Sequence, residues 1–176
     1  MNAVFSRRNT LLPIVFIGPM AAGKTRIGRR VARGLNVPFI DTDKRIVESY
    51  GPIAEIFARE GEEYFRIVER EAVNWALGEP AVVSLGGGAV LHADTQADLT
   101  DATVVYLSVT TAAVQARLGG SKRPLLAGGI TDWERIYNLR RPTYEALATI
   151  RLDTSNRPIS GIADEIVNWV QERNDD

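Results

Sequence analysis

The chain has 176 residues, of which 45% are hydrophobic and 24% charged, and its formal net charge is −1. That length suits one domain with a sizeable core, and the near-neutral balance excludes a general attraction to nucleic acid or to an anionic membrane. There is no cysteine and a single histidine, His92, which excludes disulfides, thiolate metal sites, a cysteine nucleophile and a histidine cluster.

Residues 1–10 carry the Ser6-Arg7-Arg8 segment, which superficially resembles a twin-arginine export signal. The apolar run behind it, Leu11 to Ile17, is better used as a strand, so residues 1–10 are expected to be a mobile arm and residues 11–176 a single domain. No apolar run approaches the ~18 residues of a membrane span. Nearly all positive charge is arginine, the lysines being Lys24, Lys44 and Lys122. Arginine suits bidentate capture of carboxylates and phosphates.

After the first strand comes Gly18-Pro-Met-Ala-Ala-Gly-Lys24-Thr25, then a helical stretch from Arg26 to Leu35. Strand, glycine-rich loop and helix in that order make G-x-x-x-x-G-K-[ST] a phosphate-binding P-loop. Gly18 and Gly23 let the backbone curl round an anion, and the small Ala21 and Ala22 leave the loop uncrowded. The following helix adds its positive end. Lys24 can reach the outer phosphates, and the Thr25 hydroxyl can ligate Mg²⁺.

Asn36-Val37-Pro38 breaks the pattern, and Phe39-Ile40 reads as a short buried strand ending in Asp41-Thr42-Asp43. Acids at the carboxyl end of a parallel strand lie where ligands bind in open α/β sheets. Thr42 or Asp43 also suits the cap of a helix beginning at Lys44, but capping uses only one such residue. Beyond Tyr50-Gly51-Pro52, Ile53, Ile56 and Phe57 form an amphipathic turn. Gly61 then precedes a longer helix, with Phe65, Val68, Ala72, Val73 and Leu77 at helical spacing. Arg66 lies beside that apolar face. With Glu69 or Arg70 near it, a surface pair worth a few tenths of a kcal/mol is the plain reading.

Ala81 to Leu85 is a third strand, followed by Gly86-Gly87-Gly88, which permits close approach of backbone to a bound molecule. His92 reads as a polar residue after that turn. Thr103 to Val109 is the strand richest in β-branched residues, and a helix from Thr111 to Leu118 follows. The segment from Gly119 to about residue 130 has glycine pairs at both ends and carries Lys122 and Arg123, as a hinged lid over phosphates would. Trp133 to Leu147 predicts a helix that Pro142 should kink or split. Thr149 to Asp153 is the last strand and Ile159 to Val170 the closing helix, with Ile162, Ile166 and Trp169 or Val170 inward. Five strands alternating with helices call for a three-layer α/β/α arrangement with a parallel sheet.

A P-loop does not by itself separate switches, motors and kinases. The chain lacks the Asn-Lys-x-Asp and Asp-x-x-Gly motifs of a GTPase switch, the Asp-Glu strand end of a mechanical ATPase and the G-x-G-x-x-G of a dinucleotide enzyme. A compact small-molecule kinase remains.

Taken together, the P-loop, Asp41-Thr-Asp43, Gly61-Glu-Glu-Tyr-Phe-Arg66, Gly86-Gly-Gly88, Arg123-Pro-Leu-Leu126 and Arg140-x-Pro-x-Tyr144 resemble the shikimate kinase family, from about Leu12 to the closing helix. The resemblance implies a P-loop kinase fold like that of nucleoside monophosphate kinases, with a five-stranded sheet of order 2-3-1-4-5. It implies ATP-dependent phosphorylation of shikimate at its 3-hydroxyl, a step toward chorismate and the aromatic amino acids. By resemblance Gly18, Ala21, Ala22, Gly23, Lys24, Thr25, Arg26, Arg117, Arg123 and Arg157 serve ATP. Asp43, Arg66, Gly86, Gly87, Gly88 and Arg140 hold shikimate, the Arg-x-Pro-x-Tyr register selecting Arg140 over Arg141. Thr25 and Asp41 serve Mg²⁺, Asp41 through water. Lys24, Asp43 and Arg123 are the expected catalytic residues, Asp43 as a base or as a positioner of the hydroxyl. A monomeric cytoplasmic enzyme without nucleic-acid or membrane partners is expected. The rivals are a related kinase for gluconate or a nucleotide, and a binding module without turnover. Intact Lys24, Thr25, Asp41 and Asp43 argue against the module.

Overall fold

A computed structural model describes residues 11–118 and 128–175. The expected N-terminal arm, Lys122 and Arg123 lie outside the described residues. Five strands, β1 (Ile14–Ile17), β2 (Phe39–Asp41), β3 (Val82–Ser84), β4 (Thr103–Ser108) and β5 (Ile150–Asp153), form one sheet of order β2-β3-β1-β4-β5. Every neighbouring pair is parallel, as expected. β1 starts later than the apolar run because Pro13 has no N–H to give to the ladder.

The helices are α1 (Lys24–Leu35), α2 (Thr42–Tyr50), α3 (Ile53–Leu77), α4 (Ala93–Leu99), α5 (Thr111–Leu118), α6 (Gly129–Leu147) and α7 (Ile159–Asp175). Right-handed crossovers sort them into layers. The step from β1 to β2 runs one way along the sheet and places α1 on one face, where α7 packs against it. The steps from β2 to β3, β3 to β4 and β4 to β5 run the other way and place α3, α4 and α6 on the opposite face. Adjacent β1 and β3 therefore send their chains to opposite sides. The crevice at their carboxyl ends is the switch point where α/β sheets bind ligands.

Cover on both faces explains why the central strands are apolar throughout. Ile14, Val15, Phe16 and Ile17 are all at most 1% exposed. Phe16→Ala is expected to cost about 3–5 kcal/mol of stability, read as a lower denaturation midpoint in urea.

Three local expectations change. Helix α2 starts at Thr42, not Lys44, and its cap is Asp41, whose Oδ1 accepts from Lys44 N at 3.1 Å. Thr42 instead donates to the Ser84 carbonyl at 3.3 Å, tying α2 to β3. Pro142 does not split α6, because Tyr137 and Tyr144 are buried on either side of it and hold the segment against the core. Helix α4 was not anticipated. His92 caps it through Nδ1, which accepts from Asp94 N at 3.2 Å, a structural role.

Candidate active site

The carboxyl ends of β1, β2 and β3 open into a cleft of about 1040 Å³ lined by the P-loop, Asp41, Asp43, Gly86, Gly87, Arg117 and the segment from Thr154 to Ile159. The loop shape follows from packing. Gly18 has φ 144°, and a Cβ there would lie 2.3 Å from the Leu107 carbonyl oxygen of β4. Gly23, at φ 92°, caps α1 without a side-chain bond. The first amides of α1 therefore have no intrahelical acceptor and face an anion site.

Lys24 folds back along the loop and donates to the Gly18 and Pro19 carbonyls at 2.8 and 2.9 Å. Burial lowers its ammonium pKa to about 8, against the pull of Asp43 and Asp41, with Arg140 pushing the same way as burial. The Thr25 hydroxyl donates to Asp41 Oδ2 at 2.9 Å. One carboxylate thus both caps α2 and meets the P-loop threonine, so capping and site geometry coexist at Asp41.

The triple glycine has a side-chain partner at each position. A Cβ on Gly86 would lie 2.6 Å from Asp43 Oδ1, one on Gly87 3.2 Å from Arg140 Nη1, and one on Gly88 2.6 Å from Arg66 Nη1. Three glycines in a row therefore make room for Asp43 from α2, Arg140 from α6 and Arg66 from α3. The neighbouring Arg141 points elsewhere, pairing with Glu145 at 3.4 Å and lying over Tyr137. Burial raises the Asp43 pKa above the usual carboxylate range, helped by the Asp41 charge and opposed by Lys24 and Arg66.

Glu69 and Tyr144 have roles beside these arginines that the sequence does not assign. Glu69 is 4% exposed and accepts from Arg66 Nη1 at 2.7 Å, so the pair is not the surface pair expected. Burial pushes its carboxyl pKa up, against the hydrogen bond and charge of Arg66. Arg70 bridges instead to Asp98 of α4 at 2.5 Å. Tyr144 donates to the Gly87 carbonyl at 2.6 Å, and burial raises its pKa to about 12 against the pull of Arg140. Helical spacing signals Glu69 facing Arg66, but only the structure shows that Glu69 is buried and that Arg66 lies against Gly88 of the triple glycine.

At the other end, Arg26, Arg117 and Arg157 all line the cleft. Arg117 donates to the Ala21 carbonyl at 2.9 Å and also to the Thr154 carbonyl, while Arg157 donates to Glu165. Among the described residues no cluster of three or more acidic, histidine or cysteine ligands could hold a metal ion. No helix among them is long and apolar enough to cross a membrane.

Comparison with known proteins agrees with this geometry. A solved structure titled shikimate kinase from Acinetobacter baumannii in complex with shikimate superposes with a TM-score of 0.83 at 31% identity, covering 91% of this chain and 93% of that one. A gluconokinase from Sinorhizobium meliloti matches with a TM-score of 0.62 at 16% identity, covering 92% of this chain and 93% of that one, a likeness of fold alone. A curated shikimate kinase of Rhodococcus jostii is 41% identical over 163 residues, 90% of this chain and 97% of the relative. A family model described as shikimate kinase matches residues 20–171. With that match spanning most of the chain, on a P-loop kinase fold whose cleft gathers two arginines and an aspartate, the chain belongs to the shikimate kinase family.

Proposed function

We propose that the chain transfers the γ-phosphoryl group of ATP to the 3-hydroxyl of shikimate, giving shikimate 3-phosphate and ADP. The observation that carries this reading is the convergence of Asp43, Arg66 and Arg140 on Gly86 to Gly88, beside the P-loop. Two guanidinium groups answer one carboxylate through bidentate hydrogen bonds, and Asp43 answers ring hydroxyls.

Phosphoryl transfer needs mainly alignment and charge stabilisation. Gly18, Ala21, Ala22, Gly23, Lys24 and Thr25 bind the phosphates. Arg26, Arg117 and Arg157 serve the nucleotide, and the family resemblance adds Arg123, which lies outside the described residues. The 3-oxygen attacks the γ-phosphorus, the bond from that phosphorus to the β–γ bridging oxygen breaks, and the hydroxyl proton passes to Asp43. A carboxylate with a raised pKa is the better acceptor.

Thr25 Oγ1 and Asp41 Oδ2, 2.9 Å apart, are hard oxygen donors that suit Mg²⁺, which usually takes one or two protein ligands together with waters and phosphates. Thr25 and Asp41 would hold Mg²⁺, which would supply neutralisation of phosphate charge.

Following ADP release with shikimate, gluconate or a nucleoside monophosphate tests the reading. Shikimate should be the fastest acceptor, and faster turnover with either rival would overturn the assignment. Arg66→Ala or Arg140→Ala is expected to weaken shikimate binding by about 1.5–3 kcal/mol, the range for a charged hydrogen bond. ATP affinity should change little, and titration calorimetry with each ligand separates the two.

A further inference from the structure

Three successive carbonyls of the P-loop are held by side chains from outside it. The Met20 carbonyl accepts from Trp133 Nε1 of α6 at 2.9 Å. The Ala21 carbonyl accepts from Arg117 of α5 at 2.9 Å. The Ala22 carbonyl accepts from Thr154 Oγ1, just beyond β5, at 2.9 Å.

The Thr154 hydroxyl has one proton and two acceptors in reach, the Ala22 and Ser108 carbonyls at 2.9 and 3.2 Å. Ser108 already accepts from Thr154 N at 2.9 Å, and the shorter contact assigns the hydroxyl proton to Ala22. That carbonyl precedes the cap of α1 and has no helical donor of its own. Ala22 and Thr154 are each 1% exposed, so water does not replace the Thr154 hydroxyl, and the Trp133 indole is itself 2% exposed.

The bonds have a directional consequence. In a trans peptide the carbonyl and the following N–H point opposite ways. Donors on the Met20, Ala21 and Ala22 carbonyls therefore turn the N–H groups of Ala21, Ala22 and Gly23 away from those donors. Ala22 N closes the turn on the Pro19 carbonyl at 3.3 Å. Ala21 is also held at φ 67°, a conformation a non-glycine residue keeps only where its surroundings over-determine it. The donors on either side of it do so.

We propose that Thr154 and Trp133 are positioning residues for the nucleotide. They orient the P-loop peptides toward phosphate and act through the loop, not by reading the base or the acceptor. The proposal rests on the reading that Gly18 to Thr25 binds the phosphates of ATP. It is tested by ADP titration calorimetry, the KM values for ATP and shikimate, and the Tm of Thr154→Val, Thr154→Ser and Trp133→Phe. Loss of one buried donor should raise the Kd for ADP and the KM for ATP roughly fivefold or more in Thr154→Val. The KM for shikimate should stay within about twofold, and Thr154→Ser should restore nucleotide affinity. Trp133→Phe keeps an aromatic ring in the core, loses the N–H together with part of the indole, and should show the same split, its Tm reading the packing loss separately. Wild-type ADP affinity in folded Thr154→Val and Trp133→Phe would overturn the proposal, as would equal losses for both substrates. A wild-type protein that bound no ADP would overturn the phosphate-binding reading itself.

Discussion

Lys24→Met is expected to lower kcat by about 10²–10³-fold, the loss typical of removing one preorganised donor to developing charge. The Tm should change little, because among the described residues Lys24 hydrogen-bonds to the Gly18 and Pro19 carbonyls of its own loop and methionine keeps most of its length. Stopped-flow or coupled ADP assays, alongside thermal melts, check both halves. Near-normal turnover would remove Lys24 from the phosphate clamp. A pH dependence goes with it. Burial brings the ammonium pKa down to about 8 in the free protein, so the charge that meets phosphate is present below that pH and is lost as pH rises through it. Nucleotide affinity should therefore fall on the alkaline side. Bound phosphate stabilises the ammonium and raises its pKa, so the alkaline limb should lie at higher pH in kcat than in kcat/KM for ATP.

Asp43→Asn should reduce kcat by about 10²–10⁴-fold, the range for general acid–base catalysis, with a much smaller change in the KM for shikimate. Asparagine keeps the size and can still meet a ring hydroxyl beside Gly86, but it cannot take the proton. The wild-type acid limb should stand above the ordinary carboxylate range, because burial and the Asp41 charge raise the Asp43 pKa. Activity falls as pH drops through that value, since the protonated carboxyl no longer accepts a proton. In Asp43→Asn the limb due to this group should vanish. A variant with lost binding but unchanged kcat would make Asp43 a substrate anchor only.

The legible parts of the fold and site share a physical cause. The strands at the centre of the sheet were readable because both faces are covered, so Ile14 to Ile17 is apolar without alternation. The P-loop was readable because backbone shape near Leu107 admits only glycine at Gly18, and that demand leaves a fixed spacing. Boundaries read less well. Thr42 and Asp43 are the caps that the sequence suggests, and only the tertiary structure makes Asp41 the cap, with its other oxygen on Thr25, and ties Thr42 to β3. The helix through Pro142 persists because of tertiary anchors on either side, which local propensity does not count.

By itself the sequence determined a parallel α/β architecture, a phosphate-binding loop and the residues Asp43, Arg66 and Arg140 as members of one motif set. The architecture and the loop arise from periodicity and local spacing, which travel with the chain, and the grouping of the three residues comes from the family resemblance. Only the tertiary structure decided which partner each of those residues has. Gly86 faces Asp43, Gly87 faces Arg140 and Gly88 faces Arg66, while Glu69 is buried against Arg66 and Tyr144 holds Gly87. Thr154 and Trp133 carry no sequence signal of a site. Each lies more than a hundred residues from the loop carbonyl it holds, and only the folding of the sheet and of α6 brings those distant donors to the P-loop.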